Sequence, residues 1–290
     1  MLIKVIAVIA LSFLIFPAHA LEDVPPAVPP PTVQAEALPL PPPKQVKKAP
    51  IKTFVPKAKK AKPAPKSVVF MPPIKPVTMP KGKGFYVLEL FSSQACTFCP
   101  KADAMMKAYA NQPHMIALSC HIDYFDVKAG SLSLPICSAR QGAYELSLDI
   151  GPKYTPQMVV NGRVDAIGYL PKEIAKAFAQ VRSSPITSLP VERISGGLYH
   201  ANLPAIEADQ YNVWLFVYQQ PKTVAVKDGG NRGTNLTYYN VVSKVGFLGK
   251  WDGAAKALKF DAKLNEDSKG FALLVQRASD NGVVLAAKVE

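Results

Sequence analysis

Phe85-Tyr86-Val87-Leu88-Glu89-Leu90-Phe91 is an apolar run interrupted only by Glu89, and it empties into Ser92-Ser93-Gln94-Ala95-Cys96-Thr97-Phe98-Cys99-Pro100 before helix formers at 102–110. Such a run reads as a strand buried on both faces, so the chain must build a sheet with a layer on either side. The C-x-x-C then falls at a helix start. There, unpaired backbone N–H groups and the positive end of the helix dipole favour a thiolate at Cys96, and Pro100 is tolerated because first-turn amides have no intrahelical partner. A C-x-x-C between strand and helix patterns is a redox signal, and the same spacing is also half of a metal site.

The pattern continues through a second strand at 114–120, which leads into His121-Ile122-Asp123-Tyr124-Phe125-Asp126, and a helix at 136–148. Gln157-Met158-Val159-Val160 is a short third strand, Asn161-Gly162 is a hairpin turn, 163–167 returns, and 171–182 is an amphipathic helix with Pro171 in its first turn. The order β-α-β, linking helix, β-β-α is the thioredoxin arrangement. In that arrangement the proline of Tyr154-Thr155-Pro156-Gln157 precedes the third strand and faces the C-x-x-C. The expectation is a cis Thr155–Pro156 bond, with the Thr155 backbone left free to pair with a substrate strand.

Ahead of this unit the chain changes character twice. Met1-Leu2-Ile3-Lys4, a short apolar run and Pro17-Ala18-His19-Ala20 read as a cleaved signal peptide over 1–20. The apolar run is well short of the ~20 residues a spanning helix needs, so a retained anchor is the weaker reading. Residues 21–80 carry 17 of the 28 prolines and ten lysines against three acids, a net charge of +7. No core forms from that composition, and a disordered, partly polyproline arm is expected. Residues 81–290 carry only +5 of the total +13, so the basic balance does not mark a nucleic-acid-binding domain. A lysine-rich arm on an exported protein suits contact with anionic envelope polymer or lipid, or serves as a solubilising spacer.

The remainder is long enough for two modest cores, placed at 81–184 and 185–290. In the second, the runs at 211–218, 236–245, 257–261, 271–277 and 283–289 are strand-like, with Asp280-Asn281-Gly282 announcing the last hairpin. The fold class expected is therefore a thioredoxin-like α/β domain followed by an all-β, antiparallel sandwich-like domain. Gly229-Gly230-Asn231-Arg232-Gly233 precedes a strand rather than a helix, so turn geometry explains its glycines better than phosphate binding. This second unit either presents partners or covers the thiol site.

Val87-Leu88-Glu89-Leu90-Phe91-Ser92, Cys96-Thr97-Phe98-Cys99-Pro100, His121-Ile122-Asp123-Tyr124-Phe125-Asp126, Arg140-Gln141, Tyr154-Thr155-Pro156-Gln157-Met158-Val159-Val160-Asn161-Gly162 and Leu236-Thr237-Tyr238-Tyr239-Asn240-Val241-Val242 together resemble one family. It is the bacterial secreted family catalogued as domain of unknown function 1223, which is similar to thioredoxin-like proteins. The resemblance runs from about Phe85 to the C-terminus; the family usually has Trp where Phe125 stands and Gly where Ala95 stands. It implies a fold and a periplasmic or secreted location, and no substrate.

The redox reading makes Cys96 the attacking thiolate, Cys99 the resolving thiol, and Thr155 with Pro156 the substrate platform. Glu89 either relays the Cys99 proton, as a buried acid does in similar oxidoreductases, or is a strand-edge carboxylate in solvent. No cofactor is needed, and the partners are thiols and disulfides of envelope proteins. Cys120 and Cys137 form the second pair. A structural disulfide there would stabilise by roughly 3 kcal/mol, and the sharper alternative is electron exchange with Cys96 and Cys99. The rival class is metal carriage, with Cys96, Cys99 and His121, joined by Asp123, holding Cu(I) or Zn²⁺. A third is a redox-inert envelope binding module. Asp123, Tyr124 and Asp126 pin the following loop, with Arg140 a partner for one of them. Hydrolase chemistry has no support: there is no nucleophile elbow and no phosphate loop.

Overall fold

The computed structural model describes residues 84–125 and 131–290. The expected signal peptide, the Pro/Lys arm and Asp126 lie outside the described residues. The described residues are mostly β-sheet with three α-helices, an α/β part followed by an all-β part.

The α/β part runs β1 (Tyr86–Ser92), α1 (Cys99–Ala110), β2 (Met115–His121), α2 (Pro135–Ser147), β3 (Gln157–Val160), β4 (Val164–Ile167) and α3 (Pro171–Val181). Its sheet has the order β2-β1-β3-β4. β1 pairs parallel with β2 and antiparallel with β3, so the sheet is mixed rather than parallel throughout. Both parallel strands end on the same edge, with Ser92 opposite His121. Every residue of β1 is buried, Glu89 and Ser92 included, as a run apolar on both faces requires. Tyr86, Leu88 and Leu90 meet the apolar faces of α1 and α3, whereas Val87 and Phe91 point the other way, toward α2 and the second part of the chain. Pro100, Pro135 and Pro171 each sit in the first turn of a helix, where no amide is missed.

The β part adds β5 (Thr187–Ser188), β6 (Val191–Ser195), β7 (Leu198–Leu203), β8 (Tyr211–Gln219), β9 (Lys222–Ala225), β10 (Asn235–Tyr238), β11 (Val242–Trp251), β12 (Lys256–Asp261), β13 (Ser268–Arg277) and β14 (Val283–Val289). Five strands make one sheet, β11-β8-β13-β14-β5, antiparallel except at β5, and β12-β7-β6 make a second. The expected strand at 236–245 is two strands, because Asn240 takes a positive φ of 49° and turns the chain between them. The short, mostly exposed strands β6 and β9 carry too little apolar alternation to be read from the sequence; β7 does alternate, turning Tyr199, Ala201 and Leu203 inward.

The five-stranded sheet is the central layer. Leu215, Val217, Phe271, Leu273 and Val275 face the three-stranded sheet, whereas Phe216, Tyr218, Ala272 and Leu274 pack against Val87, Phe91, Leu118 and Tyr144 of the α/β part. One apolar core therefore crosses residue 184, and the described residues pack as one compact unit. At its rim two hairpin tips meet. Asn161 and Gly162 both take positive φ (53° and 66°), and a Cβ on Gly162 would sit 2.2 Å from the Asn281 carbonyl oxygen.

Candidate functional site

Cys96 is half-buried in the loop after β1, and Cys99 is fully buried at the first position of α1; both are free thiols. The loop folds back on itself through Cys96 N–H to Ser93 O (3.2 Å) and Cys99 N–H to Cys96 O (3.2 Å). Cys96 Sγ lies 3.6 Å from the Thr155 carbonyl oxygen, and the Thr155–Pro156 bond is cis. Residues some sixty positions apart in sequence thus meet at one sheet edge.

The two thiols differ sharply. The Cys99 thiol beside it draws Cys96 down to about 6, helped by the Thr155 side chain and the backbone N–H groups of Phe98 and Cys99, against the opposing effect of partial burial. Burial pushes Cys99 well up, and the neighbouring Cys96 and Asp103 add to that. A nucleophile and a held-back thiol result.

Asp103 stands one helical turn after Cys99, on the same face of α1. It is buried, and burial with the charge of Cys96 raises its carboxyl to about 8, so it is protonated at neutral pH. Ser92, at the end of β1 on the α1 side of the sheet, faces both Cys99 and Asp103 and favours their ionised forms. Neither the Ser92 hydroxyl nor the Asp103 carboxyl has a hydrogen-bond partner of ordinary geometry among the described residues. Sequence reasoning passed over Asp103; the signal was an acid four residues beyond a helix-start cysteine, on a helix face otherwise apolar.

Glu89 is neither a relay to Cys99 nor solvent-exposed. It lies on the other face of β1, where Arg140 clasps it through Nε and Nη2, each 2.9 Å from a carboxylate oxygen. Tyr144 OH donates to the same carboxylate, Gln276 of β13 bonds Arg140 and Tyr144, and the guanidinium lies 4.6 Å from the centroid of the Phe216 ring. Arg140 thus pairs with Glu89, not with Asp123 or Tyr124. Its planar fork matches the carboxylate, and the buried pair ties α2 and β1 to the central sheet.

His121 is buried on the same side of the sheet as Ser92, edge-on to the Tyr238 ring at 4.9 Å, with no hydrogen-bond partner for either ring nitrogen among the described residues. Burial lowers it to about 4, so the ring is neutral. Asp123 turns toward α2, where Ser138 donates to its carboxylate. Among the described residues, no three His, Cys, Asp or Glu side chains converge as a metal would require. The set Cys96, Cys99, His121 and Asp123 is split because β2 ends at His121 and the next residues bend to the opposite layer. Cys120 and Cys137 are joined in a disulfide between β2 and α2, with both residues in that opposite layer.

Gln141 ties the proline loop to the rim: its amide donates to Tyr154 O (2.7 Å) and to Gln157 Oε1 (2.9 Å), and its carbonyl oxygen accepts from Tyr124 OH (2.9 Å). Phe98, 55% exposed, stacks on Tyr169 at 5.5 Å, and Phe125 is 58% exposed against Tyr124. On the far flank, the turn at Gly229–Asn231 between β9 and β10 lies on the dithiol loop. Gly230 N–H donates to Ala95 O (2.9 Å), and the Asn231 amide donates to Gln94 O (2.9 Å) and Cys96 O (2.7 Å).

An α/β layer with a dithiol at a helix start, backed by a β part that also covers the dithiol loop, defines the class. The chain belongs to the family of proteins of unknown function DUF1223, whose model matches residues 87–276. No curated protein matches it. Of solved structures, it is similar to the crystal structure of a protein from Agrobacterium tumefaciens, with 25% identity and a TM-score of 0.61 over 72% of this chain and 96% of that one. HBP35 of Porphyromonas gingivalis is matched at 15% identity and a TM-score of 0.49 over 72% of this chain and 76% of that one. Among the described residues no helix is long and apolar enough to cross a membrane.

Proposed function

We propose that the α/β part is a thioredoxin-like domain and that this chain is an exported thiol-disulfide oxidoreductase acting on protein thiols and disulfides of the bacterial envelope. The observation that carries the reading is the asymmetry of the dithiol: an accessible Cys96 drawn down to about 6, beside a buried Cys99 pushed up. Metal ligands and structural thiols have no use for that difference; disulfide exchange does.

The Cys96 thiolate attacks one sulfur of a protein disulfide. That S–S bond breaks, a mixed disulfide forms at Cys96, and the first partner thiolate leaves and takes a proton from solvent. Cys99 then gives up its proton and attacks the Cys96 sulfur. A Cys96–Cys99 disulfide forms, and the second partner thiolate leaves and is protonated. The protein disulfide is reduced by two electrons and the dithiol oxidised by two; run in reverse, the same steps oxidise a pair of thiols. Thr155, whose carbonyl lies beside Cys96, and Pro156 are the platform on which the partner segment rests, and the exposed ring of Phe98 offers it an apolar contact. In the mixed disulfide Cys96 carries no charge, which removes one of the causes that raise the Asp103 carboxyl. The ionised form of Asp103, one turn along α1, takes the Cys99 proton as Cys99 attacks, the role that one of the two readings gave to Glu89.

The test is a trap. Cys99→Ser keeps the nucleophile and removes the resolving thiol, so non-reducing gels of cells carrying it should show mixed disulfides with envelope proteins that disappear when Cys96→Ser is added. A clean lane for Cys99→Ser refutes the reading.

A further inference from the structure

We propose that Asn231 is a positioning residue for the dithiol: the Gly229–Asn231 turn, supplied by the β part of the chain, sets the backbone that holds the Cys96 thiolate. The inference rests on the dithiol-exchange reading, and the turn takes no part in that chemistry itself.

The contact is built for closeness. A Cβ on Gly229 would lie 2.5 Å from Ala95 Cβ, and one on Gly230 would lie 2.2 Å from Thr97 Oγ1, so only glycine lets the two backbones meet. Gly229 also takes a φ of +72°, which an L side chain would strain. Asp228 caps the turn by accepting from Gly229 N–H, and Thr234 Oγ1 donates to Asn231 O, so the turn is fixed from its own side before it reaches the loop. Asn231 is 8% exposed, and both hydrogens of its side-chain amide are used, one on Gln94 O and one on Cys96 O.

Together with Gly230 N–H on Ala95 O, the turn holds three successive carbonyls, those of Gln94, Ala95 and the nucleophile itself. Cys96 O also accepts Cys99 N–H, the bond that closes the turn into α1. With Ala95 O held by Gly230 N–H and Cys96 O by Asn231, the two peptide planes that flank Cys96 are both fixed, and Gln94 O ties the preceding peptide to the same turn. The backbone N–H groups of Phe98 and Cys99 that draw Cys96 down therefore keep their place. A thiolate held by N–H dipoles depends steeply on their distance and angle. A residue 135 positions away in sequence therefore bears on thiol chemistry without touching the sulfur.

The experiment follows the rate of Cys96 alkylation by iodoacetamide against pH in the reduced full-length protein, located by mass mapping. Asn231→Ala should move the midpoint up by about one unit, a roughly tenfold loss of thiolate well below it. Asn231→Asp, which sets a carboxylate against both carbonyls, should move it further. Thr223→Val removes an exposed hydroxyl contact to Thr237 (2.8 Å) within the same β9–β10 hairpin and should leave the midpoint in place. Should Asn231→Ala not fold, Gly230→Ala gives the same reading, because its new methyl meets Thr97 Oγ1. Combining it with Thr97→Ala should bring the midpoint back to that of Thr97→Ala alone. A midpoint unchanged in Asn231→Ala, or one moved equally by Thr223→Val, overturns the proposal. Its failure is separable from that of the redox reading: a wild-type protein that exchanges disulfides with an unchanged Asn231→Ala midpoint sinks only the positioning role. A wild-type midpoint that depends on Asn231, with no mixed disulfide in the Cys99→Ser trap, sinks only the oxidoreductase.

Discussion

Replacing Asp103 by Asn should flatten the pH dependence of stability. The carboxyl is buried and its folded value is raised to about 8 from 3.8, so the native state holds a proton that the unfolded chain releases near pH 4. An acid raised on folding stabilises fully below its unfolded value, and that contribution is lost as pH rises toward its folded value. Between about pH 4 and pH 8 the loss is up to about 1.4 kcal/mol per pH unit, on the order of 4 kcal/mol by pH 7. Asparagine matches the protonated acid in shape and does not titrate. The difference in unfolding free energy, Asp103→Asn minus wild type, should therefore grow with pH across this window. Taking the difference removes most of the contribution of Cys96, a thiol lowered on folding, whose stabilisation grows between about 6 and its ordinary range. The assay is urea unfolding of the reduced proteins at pH 5, 6, 7 and 8, with m-values compared to confirm that the same surface is exposed. Parallel stability profiles would show that Asp103 is ionised in the folded protein, and the reasoning about its proton would fall with it. The same variant should slow resolution of a mixed disulfide at Cys96 while leaving its formation little changed.

Glu89→Gln should destabilise the protein by about 3–5 kcal/mol, read by urea unfolding, because it leaves Arg140 charged and buried without its partner. The Cys96 alkylation profile should not move, since the pair lies on the other face of β1. Replacing both Cys120 and Cys137 by Ala should cost roughly 3 kcal/mol of stability, the value expected for a 17-residue separation, and leave the Cys99→Ser trap intact. Loss of trapping in that background, with the protein folded, would place the second pair in the electron path.

Much of the α/β part was legible because its signals are local. The apolar β1, the helix-start prolines and Asn161-Gly162 each specify their own conformation, and Cys96, Cys99, Thr155 and Pro156 followed from element order. What escaped was set by layers that no local pattern reports. Glu89 and Arg140 lie 51 residues apart and become a pair only once α2 and the central sheet close over one face of β1. Glu89 reads either as a buried relay or as a strand-edge carboxylate in solvent, and it is neither, because the face an acid occupies, which separates Glu89 from Asp103, is set by the layers. Gly229-Gly230 read correctly as turn chemistry, but a turn's target is a tertiary fact. β6 and β9 were missed because edge strands with exposed polar residues lack the alternation that marks a half-buried strand. At the centre of its sheet, β7 does alternate, but over only six residues with a single large apolar side chain among its inward positions besides Leu203.

The apolar core that crosses residue 184 governs how this polypeptide can become native. Val87 and Phe91 near its start are covered by Leu274, Val283 and Ala286 near its end, and Val283 N–H bonds Asn161 O across the same seam. A chain emerging from its N-terminus therefore has no lasting cover for the inner face of its first sheet until β14 is free. Folding of the first sheet is tied to synthesis of β13 and β14, and a fragment ending at 184 would present Val87, Phe91, Leu118 and a half-built Glu89–Arg140 pair to water. Strand pairing in the first half must wait on contacts nearly two hundred residues downstream, which makes for slow, high-contact-order folding and a long interval in which the free thiols are open to mispairing.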